Sequence, residues 1–462
     1  MTMLILVISE LTALYLHFET FQYIAISSLL VVFAVARQHL KLREAYLIGV
    51  SVILVILAVL TLEDAGEWTI EALGRSAYLA SFILLMALLR EGALTSRSVV
   101  ELGRFLTFQP PQRRFVAVFS GAHVLSVMIN LGALSLLAPI IQRGVRADRP
   151  AGAPLDEVAM IRERRQLIAT LRGFSWFLVW APTAVTQAVM PTLMEGIDAF
   201  KLVGLGLQLA LLMLMFSWCE DWLRWRATGH RIRQEGLIKP TQTPSFPMRA
   251  ARNFGLVCGL LFFLSFLFSY VSGATIVTGV MAAAPIVTLI WVLIQQPPAT
   301  RLRATATRFD LITFSAMPGY IREMVFVACA GFIGTLGAQL VPIDDIARAI
   351  GLESAPGWLV LWCISISVWV AGQVGLSPIT MAVFLGSIIA QVPVLPVDIT
   401  HAALAIATGT AISTGGAPFS AGALMLSRAT GHSPATLTWR WNGQYTFMCM
   451  AILALVYAWL EA

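Results

Sequence analysis

The chain has 462 residues, of which only 12% are charged and 58% hydrophobic, with a mean hydropathy of +0.80. This excludes a water-soluble domain and predicts an all-α polytopic membrane protein. Its 31 Lys and Arg against 25 Asp and Glu give a formal charge of +6, whose placement matters more than its sum. Cys219, Cys258, Cys329, Cys363 and Cys449 lie singly in apolar stretches, so neither a disulfide framework nor a metal site is indicated, no cofactor is expected, and nothing points to nucleic acid.

Eleven stretches apolar and long enough to span a bilayer fall at 1 to 17, 21 to 36, 45 to 61, 76 to 90, 173 to 194, 200 to 222, 254 to 271, 274 to 294, 324 to 341, 401 to 427 and 441 to 459. The first starts at Met1 with no basic region before it and no A-x-A pattern after it, so it reads as a retained span. Two further apolar stretches, 115 to 142 and 357 to 394, do not behave as single crossings.

Basic residues explain why. Loops rich in Lys and Arg stay cytoplasmic. Segment 115 to 142 is basic on both sides, with Arg90, Arg97, Arg104, Arg113 and Arg114 before it and Arg143 to Arg172 after it. A single crossing there would push the next two basic loops outside, whereas a re-entrant hairpin restores the sign of each. Segment 357 to 394 has acidic flanks, Asp344, Asp345 and Glu353, then Asp398, and enters and leaves from outside, as a hairpin or as two full spans. Twenty-eight of the 31 basic residues then lie inside, leaving only Arg75, Lys201 and Arg348 outside. The amino terminus is cytoplasmic and the carboxyl terminus external, with a bacterial inner membrane as the expected location.

This map contains a repeat. After an extra first helix (1–20), residues 21–222 and 254–462 each hold five helices with a hairpin after the third, in opposite orientation, joined by a cytoplasmic basic linker at 223–253. An inverted-topology repeat of this kind is the usual construction of a secondary transporter. The connectors 91 to 111 and 342 to 356 read as interfacial amphipathic arms, with Gly92 and Gly357 as hinges.

Polar, helix-breaking clusters inside apolar segments mark candidate sites, because irregular backbone at membrane depth must line protein or a watery cavity. Four occur at matching places. The inner hairpin supplies Ser126, Asn130 and Gly132, and the outer hairpin Gln373, Gly375 and Ser377. The span at 173 to 194 breaks near Thr183, Thr186 and Gln187, and the span at 401 to 427 near Ser413, Thr414, Gly415, Gly416 and Ser420. All of these are taken as substrate-binding, with Asn130, Gly132, Ser377 and Thr414 also available to a coupling ion. No Asp, Glu, Lys or Arg is expected in these interiors, so half-helix ends form a neutral site suited to a small anion. His123 is the one titratable residue in the clusters and the candidate proton site. The run from Cys219 to Arg226 reads as an interfacial belt with Glu220 and Arg224 at i,i+4, and the cluster at Arg162 to Arg165 as a contact with membrane lipids.

The run from Ile129 to Ile140, INLGALSLLAPI, resembles the inner-hairpin tip of the divalent-anion/sodium symporters, within the ion transporter superfamily. Asn130 keeps that motif's Asn, while Ile129 and Leu131 replace its Ser and Thr. The resemblance implies a homodimer, a fixed scaffold and a mobile domain carrying a small anion with Na+ or H+ as an elevator. The reading is therefore a transporter rather than an enzyme. The alternatives are a channel and a membrane-embedded glycan polymerase or ligase, the latter disfavoured by the short external connections.

Overall fold

The computed structural model describes residues 1–146, 154–236, 244–349, 351–392 and 394–462, and every regular element among them is helical. In chain order, α1 (Thr2–Leu16), α2 (Glu19–Ala36), α3 (Leu42–Thr61) and α4 (Ala65–Leu94) lead through the arm α5 (Arg97–Thr107) into the hairpin α6 (Pro111–Ile129) and α7 (Gly132–Arg146). Then come α8 (Glu157–Phe177), α9 (Val185–Leu193) and α10 (Ala199–Gln234). The second half runs α11 (Met248–Ser272), α12 (Ile276–Gln295), α13 (Arg301–Leu311) and α14 (Ile321–Gln339). It continues with the short α15 (Ile343–Ala349), the hairpin α16 (Gly357–Gln373) and α17 (Pro378–Ile389), and α18 (Ile399–Gly416), α19 (Ala421–Thr430) and α20 (Gly443–Leu460).

Eight of the described helical segments are long and apolar enough to cross a membrane, which makes this an integral membrane protein. Both expected hairpins form. The first turns at Asn130, held at φ 46°, and the second at Gly375, at φ 91°, where glycine carries no steric cost. With 12 residues, α17 reaches only about 18 Å, short of a hydrocarbon core of about 30 Å. Helix α16 lies antiparallel to α20, from Gly357 beside Glu461 to Gln373, which is bonded to Trp439.

The helices sort into two packed groups. In the first, α4 touches α1, α2, α3, α12 and α14, and α11 pairs with α12. In the second, α8 and α18 lie at the centre of α6, α7, α10, α16, α17, α19 and α20. Contacts of α17 with α14 and of α9 with α4 form the seam, and α5 bridges α11 to the first hairpin.

Several expectations need correction. Helix α10 runs on to Gln234, so much of the expected linker at 223–253 is helical, tied back by an ion pair from Arg231 to Glu157; residues 237–243 lie outside the described residues. Gly92 lies inside α4 rather than at a hinge. A methyl group there would come within 2.8 Å of the Thr288 side chain, so it serves close packing against α12.

The main correction is electrostatic. Arg172, read as the end of a cytoplasmic loop, lies on α8 with a side chain only 2% exposed, so a broken helix does carry a charge in its interior. Its Nη1 donates to Glu220 of α10 at 2.8 Å, its Nε donates to Asn442 Oδ1 at 2.8 Å, and its guanidinium sits 3.6 Å from the Tyr445 ring centre. Arg224 reaches the other Glu220 oxygen at 2.5 Å, and Arg165 donates twice to Asp221, at 3.1 and 2.6 Å. Within the expected interfacial belt, Glu220 and Asp221 are thus buried and join α10 to α8 and to the start of α20, while Cys219, Trp222, Leu223 and Arg226 are exposed and Glu220 keeps its i,i+4 pair with Arg224.

Breaking such a pair strands the remaining charge. Arg172→Met should lower stability by about 3 kcal/mol, the low end for a buried pair because Glu220 keeps Arg224. Adding Glu220→Leu should recover part of that loss in thermal unfolding. Equal stability of wild type and the single variant would contradict this role.

Candidate functional site

The four predicted clusters adjoin one another in the second group, although Gly132 of the inner tip lies against Arg90 and Leu94 of α4. Val127 and Leu134, flanking the inner tip, pack with Phe174, Phe177, Ala181 and Ala184, where α8 stops and α9 starts. His123 fixes this junction: its Nδ1 lies 3.1 Å from the Gly173 carbonyl, and Trp180 Nε1 donates to its Nε2 at 2.8 Å. Both ring nitrogens are satisfied in one neutral tautomer, so His123 positions the break, and a second proton would displace Trp180.

The other break, 417 to 420, lies alongside. A methyl on Gly422 would touch the Phe174 ring and Thr414 at 3.2 Å, and one on Gly415 would lie 3.1 Å from Ser175 Oγ. The end of α8 and the end of α18 therefore pass each other at one level. The outer tip reaches the same place: Gln373 Nε2 donates to the Gly416 carbonyl at 3.2 Å, Gly372 abuts Ser413, and Gly375 abuts Phe419.

A helix end has four carbonyls without intrahelical donors, and at α18 each has found one. Ser413 O accepts from the Ala417 amide at 2.8 Å and Thr414 O from Ser420 Oγ at 2.8 Å. Gly415 O accepts from Asn442 Nδ2 at 2.8 Å, and Gly416 O from Gln373 as above. Ser420 also caps α19 through the Ala423 amide at 3.2 Å, and Ser377 caps α17 through Ile379 at 3.2 Å.

The start of α9 differs. Its N-cap is Ala184, which offers no side-chain acceptor, and the amides of Val185, Thr186 and Gln187 have no acceptor among the described residues. All three residues are buried. Beside them Thr183, 3% exposed, has a buried hydroxyl with no partner, as does Ser413 in the facing helix, 0% exposed. Unsatisfied amides at a helix start, with a free hydroxyl, form a cradle for negative charge.

Not every predicted residue faces this centre. Gln187 turns back to the Val179 carbonyl and lines a separate cavity with Pro182, Leu202, Thr275 and Val277. Gly415 faces a second cavity with Arg172, Trp176 and Asn442. Ser126 and Thr414 donate to carbonyls one turn back on their own helices. Arg172 escaped sequence reasoning because it ends a basic run that reads as loop, and Asn442 because it is a single polar residue at the start of an apolar span. Among the described residues no group of His, Cys, Asp and Glu could hold a metal.

No protein-family model and no curated protein matches the chain. Among solved structures, the YdaH transporter of Alcanivorax borkumensis, whose crystal structure has an unusual topology, is similar, with a TM-score of 0.56 at 12% identity over 90% of this chain and 97% of that one. At that identity the likeness is one of fold: this integral membrane protein shares the helical architecture of that transporter along nearly its whole length.

Proposed function

We propose that the protein is a secondary active transporter for a small anion, carried by an elevator-type movement of the second helix group against the first. The observation that carries this reading is the buried, uncapped start of α9 beside the free hydroxyl of Thr183. An anion is the ligand that such amides lack. The fold shared with a transporter, and hairpins with broken helices in both halves, support alternating access.

The anion would lie between Thr183, Thr186, Ser413 and Thr414, the last of which would turn its hydroxyl from the Thr410 carbonyl to reach it, with the tips at Asn130 and Gln373 closing it from either side. Sodium is one coupling ion and a proton the other. A sodium ion at the α18 end would have to share carbonyls that already accept bonds, and so would one at the inner tip, where the Asn130 carbonyl accepts from the Ala133 amide at 3.0 Å, the Gly132 carbonyl accepts from Ser135 Oγ at 3.0 Å, and Gly132 lies against Arg90. The resemblance to the divalent-anion/sodium symporters supports a homodimer and a carboxylate-like substrate. Lipid would cover apolar faces such as Ile53, Ile56 and Leu60 of α3 and Leu256 and Phe263 of α11.

The expected grouping of the loops onto two opposite sides has its own support. Lys201 meets Asp398 at 2.8 Å and His401 meets Glu461 at 2.6 Å, joining loops expected outside. Gln142 meets the Thr430 carbonyl at 2.9 Å, Arg322 meets Glu44 at 3.1 Å and Tyr320 meets Glu91 at 2.7 Å, joining loops expected inside.

Two experiments test this. In proteoliposomes, unlabelled internal anion should drive counterflow of labelled anion, and Asn130→Ala and Thr414→Ala should impair it without loss of expression. Ohmic flux without counterflow would indicate a channel. Movement is tested at the seam, where a Cβ on Gly334 of α14 would lie 2.9 Å from Val383 Cβ of α17. That is shorter than the roughly 3.5–4.5 Å Cβ separation of a disulfide, so the two helices must part slightly for the bond to close. Cysteines at both positions, once oxidised, should stop turnover but leave anion binding measurable, and reduction should restore it. Full transport by the cross-linked protein would contradict the elevator.

A further inference from the structure

One carboxyl lies deep in the first helix group, away from the site described above. Glu10 of α1 is 5% exposed, and its Oε2 is buried without a hydrogen-bond partner among the described residues. Leu6 and Ser9 share its buried face, and α1 packs there on α2, α4 and α12. An ionised carboxylate removed from water costs several kcal/mol or more unless a cation or a proton accompanies it.

No cation accompanies this one among the described residues. The titratable groups of α2, Glu19 and Tyr23, are exposed, and α12 contains none. On α4, Arg75 is engaged by Glu71 at 3.3 Å, and Tyr78, 6% exposed, lies close enough for its hydroxyl to feel the charge of Glu10. Tyr15 of α1 is the remaining titratable neighbour.

Hydroxyl groups lie between this carboxyl and one end of the bundle, although the Tyr78 hydroxyl is buried without a hydrogen-bond partner among the described residues. Tyr78 neighbours Thr275 and Thr278, whose hydroxyls are 3.0 Å apart, and Tyr15 Oη donates to the Thr278 carbonyl at 3.2 Å. Thr275 is the N-cap of α12 and is half-buried, at the end where α1 stops and α12 begins. Residues Thr275 to Val277 also wall the cavity shared with Gln187 and Pro182, beside the α9 break.

We propose that Glu10 is a proton-binding site of the first helix group, loaded from the α1/α12 end, where the hydroxyls of Tyr15, Thr275, Thr278 and Tyr78 lie. One proton from water at that face adds to the Glu10 carboxylate and cancels one negative charge. Its return to the same face restores that charge, and no other bond changes. Only the consequence for transport rests on the reading above: the charge of Glu10 would act on the contact between the α12 start and the α9 break.

Infrared difference spectroscopy of the lipid-reconstituted protein tests the site without any transported substrate. A step from about pH 5 to about pH 9 should remove a protonated-carboxyl stretch in wild type, and Glu10→Gln should lack that band. Over the same range the thermal midpoint of wild type should fall below that of Glu10→Gln at the alkaline end and match it at the acid end. A band that persists in Glu10→Gln, its absence from wild type, or parallel thermal profiles would overturn the proposal. Should Glu10→Gln not fold, Tyr78→Phe should shift the pH at which the band is lost, and an unshifted band would likewise overturn it. Loss of transport with an unchanged infrared response in Glu10→Gln would count against Glu10 while leaving the transport reading intact.

Discussion

Hydrocarbon gives a broken helix no water, so each backbone group freed by a break must find a partner in the protein or in a ligand. The two breaks meet this constraint in opposite ways. At α18 four carbonyls are met by Ala417, Ser420, Asn442 and Gln373, drawn from three separate elements. At α9 the amides of Val185, Thr186 and Gln187 are left open beside the Thr183 hydroxyl. The completed end fixes the geometry, and the open end has the polarity of an anion receptor.

Completing the α18 end has an electrostatic foundation. Asn442 can present its amide to Gly415 because its carbonyl oxygen is held by Arg172, which is held in turn by Glu220. Three helices, α8, α10 and α20, thereby converge on the last turn of α18. Two buried charges are a costly way to position one amide, since an apolar replacement of similar volume is often as stable. Their value lies in fixing which carbonyl faces which donor. The outer tip depends on the same region, because Gln373 bonds to Gly416 on one side and accepts from Trp439, just ahead of α20, on the other.

The sequence was most legible where one physical rule dominated. Apolar run length marked the long helices, eight of which among the described residues are long and apolar enough to cross a membrane against eleven expected. The placement of Arg and Lys pointed to the first helical hairpin, and small polar clusters located breaks expected near Trp180 to Gln187 and Ser413 to Gly422, against 178 to 184 and 417 to 420 observed. Long-range pairing was not legible. Glu220 and Asp221 look like part of an i,i+4 surface pattern, because their partners Arg172 and Arg165 lie 48 and 56 residues away. Arg172 ends a run of basic residues and so reads as loop, and Asn442 is one polar residue in WRWNGQ. Glu10 is a single acid within an apolar span, and only its packing shows that it has no partner. Gln187, expected beside a break, lies in the first turn of α9 and turns back to the Val179 carbonyl, since the direction of a side chain around a break is set by tertiary contacts.

The account turns on whether the start of α9 receives an anion. Thermal stability of the purified protein against a panel of small anions and matched cations, in wild type and in Thr183→Val, measures this most directly. Removing a hydroxyl that has no partner should leave the ligand-free midpoint nearly unchanged. At least one anion should raise the wild-type midpoint in a concentration-dependent way, and Thr183→Val should lose most of that rise. Stabilisation by cations alone, or equal anion stabilisation in the two proteins, would contradict an anion site at α9.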